Sequence, residues 1–200
     1  MTQAQYIAGV DEVGKGPLAG PVAVAAVLAP KAFDFNIFPH LNDSKKLSPK
    51  RREVIFEQAL AVQEAGDIRF SIQYQPPEVI DSEGIEEAIR RALAGVLVDV
   101  AADKKPVHIY LDGRLKAPEL FPSQETIVGG DGSVPIISLA SVIGKVARDR
   151  LMCEYCDQYP EYGFSQHKGY GTKMHIAAIQ KYGPSPIHRK SFLTRIERGE

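Results

Sequence analysis

Two adjacent carboxylates, Asp11 and Glu12, stand where an apolar stretch of the chain gives way to glycine. The segment from Ile7 to Pro21 reads IAGVDEVGKGPLAGP. Apolar runs on either side predict two short strands, Tyr6 to Val10 and Val22 to Ala29, with the glycines forming the bend between them. Neighbouring strand residues point to opposite faces, so both acids can reach one ion only where the strand ends and twists. Carboxylate oxygens gathered in this way suit Mg²⁺ or Mn²⁺.

The same segment comes close to a phosphate-binding loop, because Gly9 to Gly16 nearly follows the pattern G-x-x-x-x-G-K-[ST]. Three features count against binding of a nucleotide triphosphate. Gly16 lacks the hydroxyl that would hold Mg²⁺, and Asp11 and Glu12 would repel phosphates. In addition, Pro17 leads into a strand pattern where that motif requires a helix. A nucleotide-binding loop therefore stays only as an alternative to the metal site.

A third carboxylate follows the same pattern, and a fourth lies on a predicted helix. The strand predicted from Val107 to Leu111 ends at Asp112, which a glycine follows. A helix is predicted from Ile136 to about Gln158, and spacing places four polar residues on one of its faces: Ser138, Ser141, Lys145 and Asp149. An Asp-Gly pair is also ordinary turn chemistry, and a polar stripe is also the outer face of an amphipathic helix. The stripe carries little charge for a solvated face, which favours a polar site.

The composition of the chain predicts a single well-buried domain spanning residues 1–200, since 44% of its 200 residues are hydrophobic. The sequence contains no apolar run of 18 residues, and its first residues lack the pattern of a signal peptide, so we expect a cytoplasmic protein without a membrane segment. The formal net charge of −1 hides an asymmetry. Residues 163–200 carry seven Lys and Arg against two Asp and Glu, so this end is predicted to face a polyanion. Cys153 and Cys156 are predicted to be reduced packing thiols.

Basic residues crowd the start of another predicted helix, which Ser48 caps and which runs from Pro49 to about Ala65. These cations are Lys45, Lys46, Lys50, Arg51 and Arg52. Because cations near a helix N-terminus oppose the macrodipole, the cluster favours phosphate binding, with a solvated charge run as the alternative. A half-buried strand is predicted at residues 68–74, and a long amphipathic helix from about Glu83 to Ala102.

Six separated blocks of sequence make the chain resemble a bacterial type 2 ribonuclease H (ribonuclease HII) over nearly its whole length. The blocks read GVDEVGKGPLAGPV, NDSKKLS, YLDG, ASVIGKVARDRLM, YGFSQHKGYGT and GPSPIHRKSF. The resemblance implies an α/β ribonuclease H-like fold with a mixed central sheet of about five strands flanked by helices. It also implies a helical C-terminal segment at residues of about 160–200, whose basic character would help to bind substrate. No heptad or long apolar stripe calls for an oligomer or an obligate protein partner, so we expect a monomer.

The resemblance further implies that Asp11, Glu12, Asp112 and Asp149 are the catalytic carboxylates and bind two divalent ions, Mn²⁺ or Mg²⁺. The implied substrates are an RNA/DNA hybrid and duplex DNA that contains ribonucleotides. Hydrolysis would occur on the 5′ side of a ribonucleotide and leave 3′-hydroxyl and 5′-phosphate ends. Two rivals stay open: a hybrid-binding module that has lost catalysis, and another nuclease on the same fold, such as a junction resolvase.

Recognition of the ribonucleotide is also implied by the resemblance. The backbone of Gly14, Lys15 and Gly16 would contact the 2′-hydroxyl, and Tyr170 would stack on the neighbouring deoxyribose. Three further residues match family positions near the phosphates: Lys45, Ser141 and Lys145. Lys15 stands where the family usually has arginine, so the planar, bidentate fork is lost although the charge is kept. The related ribonuclease HIII would show Gly-Thr-Gly in this turn.

Overall fold

The computed structural model of the protein describes residues 4–41, 47–104 and 106–197, with side chains described as far as residue 194. Its five strands are β1 Tyr6–Val13, β2 Val22–Pro30, β3 Arg69–Gln75, β4 Val107–Asp112 and β5 Gln124–Ile127. They form one sheet in the order β3-β2-β1-β4-β5. The strand β2 is antiparallel to both of its neighbours, β1 and β3, whereas β1, β4 and β5 run parallel. The predicted mixed sheet of about five strands is therefore confirmed.

Helices cover both faces of this sheet. They are α1 Pro49–Glu64, α2 Pro77–Glu83, α3 Ile85–Ala101, α4 Pro135–Gln158, α5 Phe164–His167, α6 Lys173–Tyr182 and α7 Lys190–Glu197. The helix α3 packs on one face, and α1 and α4 pack on the other. No helix in the described part of the chain is both long and apolar enough to cross a lipid bilayer.

The strand β2 shows why the sheet needs helices on both sides. All of its residues from Val22 to Ala29 are buried. Val22, Val24, Ala26 and Leu28 face the α3 layer, while Ala25, Val27 and Ala29 face α1 and α4. A strand that is apolar on both faces must be central, and each fully buried valine or leucine contributes about 1.5–3 kcal/mol.

Two glycines let α4 approach the sheet closely. A Cβ atom on Gly9 would lie 2.5 Å from the backbone carbon of Ile136, and one on Gly144 would lie 3.1 Å from side-chain atoms of Ala25 and Val13. The middle of α4 therefore lies directly against the end of β1, which positions the polar residues of this helix over Asp11.

The C-terminal helices form a third hydrophobic cluster that clamps the turn between β1 and β2. The amide of Leu18 donates to Gly169 O at 2.8 Å, and the amide of Gly20 donates to Ile187 O at 2.8 Å. In return, the amide of Arg189 donates to Leu18 O at 2.8 Å. The turn is thus held by the last part of the chain, which lies more than 140 residues further along the sequence.

Several element boundaries differ from the predictions. The strand β1 continues to Val13, so Asp11 and Glu12 lie inside it. The turn after β1 leads into the strand β2, whereas a phosphate-binding loop leads into a helix, so that alternative does not fit the structure. An additional helix, α2, precedes the long helix predicted from about Glu83, and Pro77 opens it because a proline is well tolerated in a first helical turn. Gly84, at φ 87°, separates α2 from α3. Finally, Cys153 is exposed, not packed.

Candidate active site at the carboxyl ends of β1 and β4

Three of the predicted carboxylates meet where the parallel strands β1 and β4 end. Val10 pairs with Leu111 in this ladder, so Asp11 and Asp112 follow at the same level on neighbouring strands. Both side chains project toward α4, as the alternation along each strand requires. Glu12 starts from the opposite face, yet it lines the same cleft because the strand is ending there. The prediction that strand ends bring these acids together agrees with the structure.

A fourth carboxylate joins them from a short 3₁₀ helix at Gly130–Gly132. Asp131 lines the cleft and is only 4% exposed. Its backbone amide donates to Asp112 Oδ1 at 3.3 Å, and its carbonyl accepts a hydrogen bond from the Ser138 hydroxyl at 2.7 Å. Ser138 therefore fixes the loop that carries Asp131. It is buried, whereas the helical spacing alone also allowed it to lie on a solvent-exposed polar face.

The predicted fourth member, Asp149, lies outside this cleft. It stands eight residues beyond Ser141 on α4, or about 12 Å along the helix axis. Its carboxylate accepts a hydrogen bond from Lys145 Nζ at 2.5 Å. Sharing a helix face does not bring residues to the same height, and for that reason only Ser141 and Lys145 of this stripe line the cleft with the three strand acids. The acid that sequence reasoning missed is Asp131. A glycine follows it, as one follows Asp112, and this Asp-Gly pair was the available signal.

The carboxylates are poorly solvated and close to one another. Burial raises the pKa of Asp11 to about 7; a hydrogen bond with Ser141 opposes this rise, and the charges of Asp112, Glu12 and Asp131 reinforce it. Burial also raises the pKa of Glu12. Its Oε2 atom is buried and has no hydrogen-bond partner in the described part of the chain. Such a site favours protons or cations, since either relieves the desolvated negative charge.

This donor set fits a hard divalent cation. All of its ligating atoms are oxygens, the choice of Mg²⁺ and Mn²⁺, and the buried Glu12 oxygen lacks a partner. Among the described residues, no three His, Cys, Asp or Glu side chains are arranged so that they could hold a metal ion by themselves. That is compatible with Mg²⁺-type ions, which keep several waters and share their coordination with substrate phosphates.

Cations and one aromatic ring surround the acidic floor. Lys15, Arg52 and Lys145 line the cleft together with Gly14, Gly16 and Tyr170. The Tyr170 side chain is half exposed at 43%, so a face of the ring is available for stacking. Lys15 forms an ion pair of 2.6 Å with Glu86 at the start of α3. Lys45, predicted to lie near the phosphates, falls outside the described residues.

An acidic floor suited to divalent ions, with a cationic and aromatic rim, is the arrangement of a metal-dependent nuclease. Comparison with known proteins supports that class. A family model described as Ribonuclease HII matches residues 8–195. A ribonuclease HII from Endomicrobium trichonymphae is 44% identical over 186 residues, which are 93% of this chain and 84% of that relative.

Solved structures agree at the level of the fold. The crystal structure of ribonuclease H2 from Pyrococcus horikoshii OT3 superposes with a TM-score of 0.75 at 23% identity, over 97% of this chain and 98% of that one. A Bst ribonuclease HIII in complex with Mn²⁺ gives a TM-score of 0.72 at 15% identity, over 98% of this chain and 70% of that one.

The chain belongs to the ribonuclease HII family. It is accordingly an enzyme of the ribonuclease H type, a nuclease and hydrolase that acts on RNA/DNA hybrids and depends on a divalent metal.

Proposed function

We propose that this protein cuts the RNA strand of hybrids and also cleaves duplex DNA on the 5′ side of an embedded ribonucleotide, leaving 3′-hydroxyl and 5′-phosphate ends. The single observation that carries this proposal is the makeup of one cleft. It joins the acidic floor at Asp11, Glu12 and Asp112 to the glycine turn and to Tyr170. A general nuclease needs only the floor, whereas the glycine turn and the ring supply contacts to the sugar of the nucleotide beside the scissile bond.

Four carboxylates would hold the metal: Asp11, Glu12, Asp112 and Asp131. When bound, two divalent ions supply an activated water and stabilise the leaving 3′-oxygen. The protein's own part is to keep these acids dry, close together and held by their neighbours. Ser141 orients Asp11, and the amide of Asp131 orients Asp112. Asp149 is better explained as the partner that holds Lys145 at the rim.

The rim residues would position the nucleic acid. Turn amides are small, fixed donors, suited to a 2′-hydroxyl that DNA lacks. Lys15, Lys145 and Arg52 line the same cleft and would contact the phosphates of a strand that crosses the floor. Such contacts fix the register of a nucleic acid and do not read its sequence. Lys45 would extend this contact. Tyr170 would stack on the sugar that follows the ribonucleotide.

We further propose that residues 1–200 act as one catalytic domain and that the protein is a monomer. The segment after residue 160 would contribute Tyr170 to the cleft and would support the glycine turn. A size-exclusion profile with light scattering tests the oligomeric state directly, and a mass near 22 kDa is expected for the 21.9 kDa chain.

The test is cleavage of three matched duplexes: an RNA/DNA hybrid, a DNA duplex with one ribonucleotide, and an all-DNA duplex. Each is incubated with Mg²⁺ or Mn²⁺ and with wild type or Asp11→Asn. We expect metal-dependent cutting of the first two, with a single 5′ cut in the second and none in the mutant. If only the long hybrid is cut, recognition of the single ribonucleotide is refuted. If hybrid binds but is never cut, the protein is a binding module.

A further inference from the structure

Two arginines, Arg148 on α4 and Arg189 just before α7, are fully buried beneath the glycine turn. Each guanidinium donates three hydrogen bonds, and all six acceptors are backbone carbonyls. Arg189 contacts Gly14 O at 2.7 Å, Lys15 O at 3.0 Å and Gly20 O at 2.9 Å. Arg148 contacts Pro21 O at 2.9 Å, Lys168 O at 3.0 Å and Ala19 O at 3.2 Å.

Neither guanidinium forms an ion pair with a carboxylate of the described residues, although buried arginines usually do. Burial lowers the pKa of Arg189 to about 9, and the charge of Arg148 adds to that effect. Two like charges held together out of water are costly for folding alone. Carbonyl acceptors satisfy the hydrogen bonds of both guanidinium groups but provide no carboxylate in direct contact with either charge.

The contacts of Arg189 also dictate where the turn's amides point. In a trans peptide the C=O and the next N–H are antiparallel. Because the carbonyls of Gly14 and Lys15 point inward to Arg189, the amides of Lys15 and Gly16 point away from it, toward the cleft that both residues line. Within the described residues neither amide donates a hydrogen bond.

Arg148 carries out a second task, because its contacts join two rim elements. It holds Ala19 and Pro21 of the turn on one side and Lys168, two residues before Tyr170, on the other. The same side chain packs under Gly14, where a Cβ atom would lie 2.1 Å from Arg148 Nε. This guanidinium therefore helps to set the distance between the turn and Tyr170, together with the hydrogen bond from the Leu18 amide to Gly169 O.

We propose that Arg148 and Arg189 are positioning residues for ribonucleotide recognition: they hold the turn so that the amides of Lys15 and Gly16 face a ribose 2′-hydroxyl and its adjacent phosphate. This inference rests on the proposed function and extends it to residues that never touch the substrate. Lysine cannot replace either one, because an ammonium lacks the planar fork that reaches three carbonyls at once.

The first test compares Arg189→Lys with wild type on the single-ribonucleotide duplex and on the long hybrid, with Mn²⁺ binding measured by calorimetry. We expect kcat/KM for the single-ribonucleotide duplex, divided by kcat/KM for the long hybrid, to fall about tenfold, while Mn²⁺ binding stays unchanged. The matched control is Arg69→Lys, which loses contacts to Asp103 at the sheet edge and should leave the ratio unchanged. An unaltered ratio, whether both kcat/KM values stay the same or fall by the same factor, would overturn the inference.

The second test needs no variant and so survives a folding defect. Amide resonances of wild-type protein are followed without metal as a ribonucleotide-containing duplex or its all-DNA counterpart is added. Lys15 and Gly16 should shift with the ribonucleotide duplex and shift much less with DNA; equal shifts refute the inference. If wild type fails to cut at a single ribonucleotide, the proposed function is at fault. If wild type cuts normally, an unaltered substrate ratio in Arg189→Lys rejects the role of the arginine, and equal amide shifts reject the turn amides as the contact to the 2′-hydroxyl.

Discussion

Acid should destabilise this protein through two buried histidines, His175 and His188. Their ring nitrogens, His175 Nε2 and His188 Nε2, are 2.9 Å apart. His175 Nδ1 donates to Tyr170 O at 3.0 Å, so its Nε2 must accept from His188. His188 Nδ1 in turn accepts from the amide of Ser185 at 2.9 Å. Every nitrogen is then committed with both rings neutral, and a proton on His175 would set two N–H groups against each other.

Burial lowers the pKa of each histidine from 6.5 to about 4. The unfolded chain takes up protons near pH 6.5, whereas the folded protein resists until about pH 4. Stability is therefore fully present above pH 6.5 and is lost as the pH falls between these two values. By pH 4.5 the loss is about 2.5 kcal/mol for each histidine. For the pair we expect about 2.5 kcal/mol if they titrate as a unit and about 5 kcal/mol if they titrate independently.

The assay is urea unfolding at several pH values between 7.5 and 4.5, with wild type beside a His175→Gln, His188→Gln double variant. The variant removes the histidine contribution and keeps the carboxylates, including Asp11, whose raised pKa acts in the opposite direction. Wild type should lose at least about 2.5 kcal/mol more than the variant over this range. Parallel curves for the two proteins would refute the argument and the neutral assignment of the rings.

Three further predictions concern the cleft. Asp131→Asn should lower both the Mn²⁺ affinity and kcat more than about 100-fold. Asp149→Asn should lower both quantities much less, because the Asp149 carboxylate contacts Lys145 at the rim. Equal losses for the two variants, in calorimetry and in cleavage assays, would return Asp149 to the metal site. Glu86→Gln should free Lys15 to contact the substrate and so lower KM, by no more than about fivefold because the ion pair is exposed. The decrease in KM should vanish in high salt, and a decrease that persists at about 0.5–1 M KCl would contradict the ion-pair explanation. Gly14→Ala should abolish cleavage of the single-ribonucleotide duplex but leave Mn²⁺ binding intact. Residue 14 has φ 85°, and a Cβ atom there would collide with the buried Arg148 guanidinium. Cleavage of this duplex at the wild-type rate would contradict that collision.

The sequence predicts the sheet and three of its acids because both follow from local patterns. Alternating or continuous apolar residues define β1, β2 and β4, and Asp11, Glu12 and Asp112 directly follow those runs. The strand β5 escaped notice since its four residues, QETI, are mostly polar and only half-buried or exposed, as an edge strand allows. An element that depends on its neighbours for pairing leaves little trace in composition.

The rest of the site depends on tertiary contacts that spacing does not encode. Asp149 shares a helix face with Ser141 but lies too far along the axis, while Asp131 enters from a loop whose path only the fold sets. In the sequence, Arg189 belongs to the basic segment predicted to face a polyanion, although it is fully buried. A buried cation and an exposed one look alike in a sequence. An exposed arginine could contact the substrate, whereas the buried Arg189 contacts the carbonyls of the glycine turn.

The clamp on the glycine turn has a consequence for protein synthesis. Gly14 and Arg189, which share a hydrogen bond of 2.7 Å, lie 175 residues apart in the sequence. At roughly 5–20 residues per second, a ribosome makes the second about 10–35 s after the first. The last acid of the floor, Asp131, precedes Arg189 by 58 residues, or about 3–12 s at the same rate. The floor can therefore form first, while the turn still lacks its hydrogen bonds to Arg189. A nascent chain would thus complete its acidic floor before the glycine turn gains its last hydrogen bonds.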